Sequence, residues 1–160
     1  GSPMSRAILM IVIAAMLAGC APSMTLQPAV PTKVGALEIS PADAWNVLPT
    51  AMTPFMRKGS QVWTRDGVLL DRLLIIPSVP DGQPLFQERD KSAALPRFKA
   101  DMLPDELAQF TESSIVKLLG EGGSVVKTAN LRPSKFGEQR GVMFDLTATQ
   151  SEGPAYRGMA

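Results

Sequence analysis

Leu103-Pro104-Asp105-Glu106-Leu107, running on through Phe110, Ser114 and Ile115 to Leu118-Leu119-Gly120, is the most regular stretch of the chain. Pro104 suits a first helical turn, where its missing N–H would have no partner in any case. Asp105 and Glu106 put negative charge at the positive end of the helix dipole. Leu107, Phe110, Ser114, Ile115, Leu118 and Leu119 recur at helical spacing and make one broad face. Gly120 can take the left-handed turn that closes a helix. The stretch predicts one long helix with an apolar face that needs a partner.

The partner is predicted downstream. Ser124–Leu131 and Gly141–Thr149 are rich in β-branched residues and read as strands. Residues 150–154 read as a turn, and Ala155–Ala160 begins another strand. Upstream, Ser40 as N-cap and Pro41 as first helical residue predict a short helix over Pro41–Leu48, stopped by Pro49. Gln61–Arg65 and Leu69–Ile76 read as two strands joined by an Asp66-Gly67 hairpin turn. Pro77 and Pro80-Asp81-Gly82 break the second, Leu85–Gln87 offers a short third piece, and Leu95–Met102 fits no single pattern. The fold class expected is α+β, an antiparallel sheet with helices packed on it. The strand pattern runs to Ala160 without a polar tail, which predicts missing C-terminal strand(s) and an open sheet edge.

The N-terminus carries an address. Gly1-Ser2-Pro3 before Met4 reads as an expression scar or an upstream extension. Arg6 precedes the apolar run Ala7–Met16, which is too short for a permanent span and fits a signal-peptide core. Leu17-Ala18-Gly19-Cys20 then resembles the lipobox of bacterial lipoproteins at every position. The resemblance implies cleavage before Cys20 and acyl chains on that cysteine. One chain, at roughly 0.8 kcal/mol per buried methylene, binds a membrane marginally, whereas two or three hold it. Ala21 in place of Asp implies sorting to the outer membrane, facing the periplasm. The expected division is a leader over 1–19, a lipidated cysteine and Pro-containing tether over 20–35, and a single domain over 36–160.

Composition narrows the function. The chain has 160 residues, one Cys and no His. Without the leader, basic and acidic residues balance at 15 each. That balance argues against nucleic acid and against a polybasic membrane clamp. Without His, the Ser–His–Asp and Cys–His triads and imidazole metal sites are excluded. No metal and no cofactor is expected.

The order of short helix, hairpin, Pro-rich stretch, long helix and meander also resembles a known fold. It is carried by Leu103–Leu107 through Gly141–Thr149, with the arm Gly153-Pro154-Ala155-Tyr156-Arg157-Gly158. It resembles the PsbP-like fold, an α/β/α sandwich shared by photosystem-associated PsbP proteins and Ran-binding Mog proteins. The resemblance covers about a third of the chain and transfers no functional residue. It implies an assembly factor or adaptor rather than an enzyme.

Candidate sites are few. Met52, Phe55 and Met56, beside Pro49 and Pro54, form an apolar cluster suited either to core or to an adaptable partner or ligand contact. Arg132, Lys135 and Arg140 surround a loop with Pro133 and Gly137 and could meet an anion or headgroup, although a solvated loop is the favoured reading. Arg65, Asp66, Asp71 and Arg72 fit cross-hairpin pairing. Asp105 and Glu106 are neighbours on a helix and do not converge. Gly120-Glu121-Gly122-Gly123 follows a helix and precedes a strand, the reverse of a phosphate loop. Trp45, Trp63, Phe110, Phe136 and Phe144 are expected in the core or lining a pocket. The function expected is a lipid-anchored, non-enzymatic envelope adaptor with a protein partner. The alternative is a carrier or sensor of a small apolar ligand such as a lipid, with an enzyme third.

Overall fold

The computed structural model describes residues 23–66, 71–88, 94–120, 124–150 and 155–160. The leader, the lipobox and Cys20 lie outside them, as do Gly67, Glu121–Gly123 and Ser151–Pro154. The architecture is α+β, with antiparallel strands and one helix. The chain divides into two compact units where a single domain is expected. One runs to Pro54 and includes Gln61–Ile75, and the other comprises Phe55–Ser60 and Ile76–Ala160. No helix of the described residues is long and apolar enough to cross a membrane.

The first unit holds β1 (Thr25–Gln27), β2 (Thr32–Val34), β3 (Leu37–Ile39), β4 (Trp45–Val47), β5 (Gln61–Arg65) and β6 (Asp71–Ile75). Four strands form an antiparallel sheet in the order β1-β4-β5-β6, and β2 pairs with β3 as a separate hairpin. Alternation puts Val47, Trp63 and Leu73 side by side on one sheet face. Val34 and Ile39 of the hairpin pack with Trp63, Ile75, Trp45, Val47 and Leu73 into a core. Trp63 is fully buried, and its Nε1 donates to Gln61 Oε1 at 2.8 Å.

Two expectations are corrected here. The tether over 20–35 does not hold, since β1 pairs with β4 and Val34 lies in the core. Its prolines, Pro28 and Pro31, fall between strands, where no ladder N–H is needed. The helix over Pro41–Leu48 is absent. Trp45-Asn46-Val47 is a strand because pairing with β1 and β5 outweighs the propensity of so short a helix. The hairpin signalled by Asp66-Gly67 is present, with β5 antiparallel to β6 and the second strand starting at Asp71 rather than Leu69. The ladder closes with Arg65 opposite Asp71, leaving 66–70 as the connection.

The second unit holds α1 (Pro104–Leu119), β7 (Ser124–Phe136), β8 (Gln139–Gln150) and β9 (Ala155–Met159). The helix spans the predicted residues. Ala108, Phe110 and Ser114 are its buried positions, and Leu119 is exposed. Gly120 follows at φ 93°, ψ 148°, a positive-φ ending other than the left-handed one expected. The strands form one antiparallel sheet in the order β7-β8-β9. Both long strands outrun their predicted limits. Pro133 lies inside β7, and the turn is only Gly137-Glu138, with Gly137 at φ 62°. A glycine at the first central position suits a two-residue hairpin turn. Between Ala129 and Arg132 the register shifts at a bulge, where Asn130 takes φ 55°.

Around this sheet the chain is irregular but bonded. Phe55 meets Phe86 edge-on at 6.2 Å, and the Gln87 N–H donates to the Phe55 carbonyl. Leu85–Gln87 makes no strand, and an isolated bridge joins Pro84 to Arg97. Residues 94–102 form a loop, with Phe98 packed on Phe110 at 6.0 Å.

Candidate functional site

The three-stranded sheet has two unlike faces. Val126 and Phe144 are buried, and the helix α1 packs chiefly on β7. The other face carries Val125, Lys127 and Arg132 of β7, Met143, Asp145 and Thr147 of β8, and Arg157 and Met159 of β9. Here Val125 is 53% and Met159 60% exposed, with Phe136 at the hairpin tip 56% exposed. Lys127, Thr147 and Arg157 form one cross-strand row, all exposed.

A polar network sits on this face at the bulge. Asn130 Nδ2 donates to Asp145 Oδ2 at 2.8 Å, and Arg132 Nη1 approaches Asp145 Oδ1 at 3.3 Å. Arg132 also donates to the Asn130 carbonyl at 2.7 Å and lies 3.2 Å from Met159 Sδ. The Asn130 amide hydrogen bond chiefly holds the Asp145 carboxyl below its ordinary range; desolvation opposes it, and the charge and hydrogen bond of Arg132 add to the lowering. Beside them lies a shallow hollow of about 470 Å3, lined by Asn130, Leu131, Arg132 and Asp145. Its polar groups bond to one another, so the network fixes the bulge.

The anion trio does not converge. Lys135 stands opposite Arg140, whereas Arg132 stands opposite Met143. Lys135 lies three positions after Arg132 along β7, so alternation sends them to opposite faces. Only Lys135 and Arg140 remain neighbours, both exposed at the hairpin end.

The apolar cluster is not a surface patch. Met56 is 5% exposed and belongs to the core of the second unit. Phe55 is half-buried against Phe86. Met52 is exposed, in a 3-10 turn over Thr50–Met52 of the first unit. Among the expected core aromatics, Trp63, Phe110 and Phe144 are buried and Trp45 half-buried. Phe136 instead lies over Gly141, where an added Cβ would sit 2.7 Å from its ring.

Arg65 gathers more partners than its hairpin supplies. Asp43 binds it at 2.8 Å, Asp71 lies at 3.6 Å and Asp66 at 3.8 Å, and its guanidinium stands 4.8 Å from the Trp45 ring. The hairpin pairing was legible, but Asp43 and the ring were not, because both depend on β4 lying next to β5. A second hollow of about 430 Å3 is lined by Asp81, Gly82, Arg97, Phe98, Lys99, Ala100 and Asp101. There Asp81 accepts the Ala100 N–H at 2.8 Å, and Arg97 pairs with Glu88 at 2.5 Å. Among the described residues, no group of His, Cys, Asp or Glu is arranged to hold a metal ion.

Sequence reasoning also missed Glu112. Its carboxylate accepts both the backbone N–H and the hydroxyl of Thr128, each at 2.6 Å. The only available signal was an acid on the helix flank nearest the following strand. No family model matches the chain, and no curated protein or solved structure does.

Proposed function

We propose that this chain is a lipid-anchored envelope adaptor, held through Cys20 on the periplasmic face of the outer membrane, and that its three-stranded sheet receives a protein partner. The observation that carries the reading is the open face of β7-β8-β9. Val125, Phe136 and Met159 are exposed there beside Lys127 and Arg157, while the opposite face is packed on α1. Large exposed apolar groups interspersed with arginine are the composition of a binding surface. The anchor rests on Leu17-Ala18-Gly19-Cys20 and the apolar run before it. A long helix followed by an antiparallel meander supports likeness to the PsbP-like fold, whose known members act mostly as assembly factors or adaptors.

The test is position-dependent crosslinking in the source cell. A photo-reactive residue placed at Val125 or at Phe136 in the full chain is expected to give one discrete adduct. The same residue at Gln109, exposed on α1, is expected not to give it. Identical adducts from all three positions, or none from the sheet, would reject the sheet as the partner site. A lipid-sized mass retained by the intact protein in native mass spectrometry would instead favour the carrier reading.

A further inference from the structure

We propose that Lys135 and Arg140, near the turn of the β7-β8 hairpin, together bind a phosphate monoester group. Alternation puts Arg140 on the side of Phe144 and sends Lys135 with it, opposite Val125 and Arg132. The site therefore lies on the face turned away from the proposed partner surface. It goes beyond the adaptor reading and does not depend on it.

The pairing geometry carries the inference. Phe144 and Ala160 exchange both backbone hydrogen bonds, at 2.6 and 2.7 Å. The even residues of β8 therefore turn their backbone groups away from β7, and the odd residues turn theirs toward it. Arg140 is an even residue, and its partner on β7 is Lys135. The two share no backbone hydrogen bond, and this is the kind of pair in which opposite Cα atoms come closest, at about 4.5 Å. Two cations thus stand side by side at the tightest spacing an antiparallel ladder allows. Like charges placed directly opposite are destabilising. Both are exposed. Among the described residues neither has an ion pair or a hydrogen bond, and Glu138 in the turn pairs with neither.

The backbone holds this spacing from both ends. Phe136 opposite Gln139 closes the Gly137-Glu138 turn, with Gly137 at φ 62°. Pro133, two positions before Lys135, fixes its own φ and stays in register with Val142. Cations gathered in advance meet an anion without the cost of bringing them together.

Chemistry selects the anion. The Arg140 guanidinium is a planar fork that fits two oxygens of one anion, and the Lys135 ammonium adds a compact point charge. A carboxylate has only the two oxygens that the fork takes, and one charge. A phosphate monoester has three strong acceptor oxygens and about two negative charges at neutral pH, so it serves both cations and cancels their repulsion. That group occurs on lipid headgroups and on small soluble phosphates.

The test is NMR on the full chain in a maltoside detergent, read at the Lys135 amide and the Arg140 side-chain N–H. Glycerol 3-phosphate is expected to give saturable shifts at both, and acetate at matched ionic strength is expected to give none. Lys135→Gln and Arg140→Gln are each expected to weaken binding by about fivefold or more, the scale of one cation beside a phosphate surface. Lys135→Arg is expected to retain it. Saturating glycerol 3-phosphate should raise the denaturation midpoint of the parent chain and not that of Lys135→Gln, which separates lost binding from lost folding. The same shifts in phosphatidylcholine nanodiscs carrying phosphatidic acid would assign the phosphate to a lipid headgroup, a source that rests on the anchor reading above. Binding of glycerol 3-phosphate without those shifts would assign it to a soluble ligand. No saturable shift with either, equal shifts with acetate, or undiminished binding in both Gln variants would overturn the proposal. The adaptor reading stands or falls separately, on crosslinking from Val125.

Discussion

Glu112 does at residue scale what sheet edges elsewhere need whole elements to do. One carboxylate satisfies an edge N–H and the hydroxyl of the same residue, Thr128. Glu112→Ala leaves a partly buried N–H unpaired and is expected to cost about 1–3 kcal/mol. Glu112→Gln keeps an acceptor and is expected to cost less, with denaturation midpoints and Thr128 amide exchange as the measurements. Asp145 gives a pH prediction. Its folded pKa lies below the unfolded value, chiefly through the Asn130 hydrogen bond and then through Arg132. Its stabilising contribution is therefore present above the unfolded pKa of about 3.9 and lost as pH falls through the lower folded value. An NMR titration of the Asp145 carboxyl should place its midpoint below that of a model aspartate, and Asn130→Ala should move it upward. Gly141 is constrained by a neighbour. A Cβ there would meet the Phe136 ring at 2.7 Å, but the ring is exposed and free to swing away. Gly141→Ala is expected to cost about 1 kcal/mol or less and to shift the Phe136 ring resonances.

At the scale of elements, the core of the first unit concentrates on one strand. Trp63 of β5 is fully buried among Val34, Ile75 and their neighbours, whereas Trp45 of β4 lies half-buried under Arg65. Trp63→Ala is expected to cost about 3–5 kcal/mol. Trp45→Ala should cost less, because it leaves the same sheet side open to water. Equal losses in chemical denaturation would contradict this ranking. The helix was legible because four signals agreed over Pro104–Leu119: proline, first-turn acids, spacing and a closing glycine. The short helix over Pro41–Leu48 was misread because Ser40-Pro41 is a strong local signal, and the deciding contacts of β4 come from distant strands. The stretch from Arg132 to Arg140 reads as a loop for a related reason. Pro133 is a breaker in isolation but harmless on an outward edge position.

At the scale of the molecule, the balanced charge of residues 20–160 conceals an uneven surface, with Lys127 and Arg157 together on one open face. The anchor belongs to this scale as well. Cys20→Ser in the full chain is expected to accumulate uncleaved precursor that takes up no labelled fatty acid. Normal labelling of that variant would remove the anchor from the reading. The sequence by itself determined the helix, the strands from Gln61 onward and the lack of any histidine to build chemistry on, and it carries the motif on which the proposed anchor rests. These depend on residue type, local order and short-range periodicity, all of which a single chain displays. Only the tertiary structure decided that the chain forms two units, that residues 25–34 are built into strands and core, and that Met56 is buried. It alone separated Arg132 from Lys135 and Arg140 and set Glu112 against the Thr128 N–H of β7. Each of these depends on register and on contacts between residues far apart in sequence. A shift of one position in a strand reverses every face, and no local pattern records it.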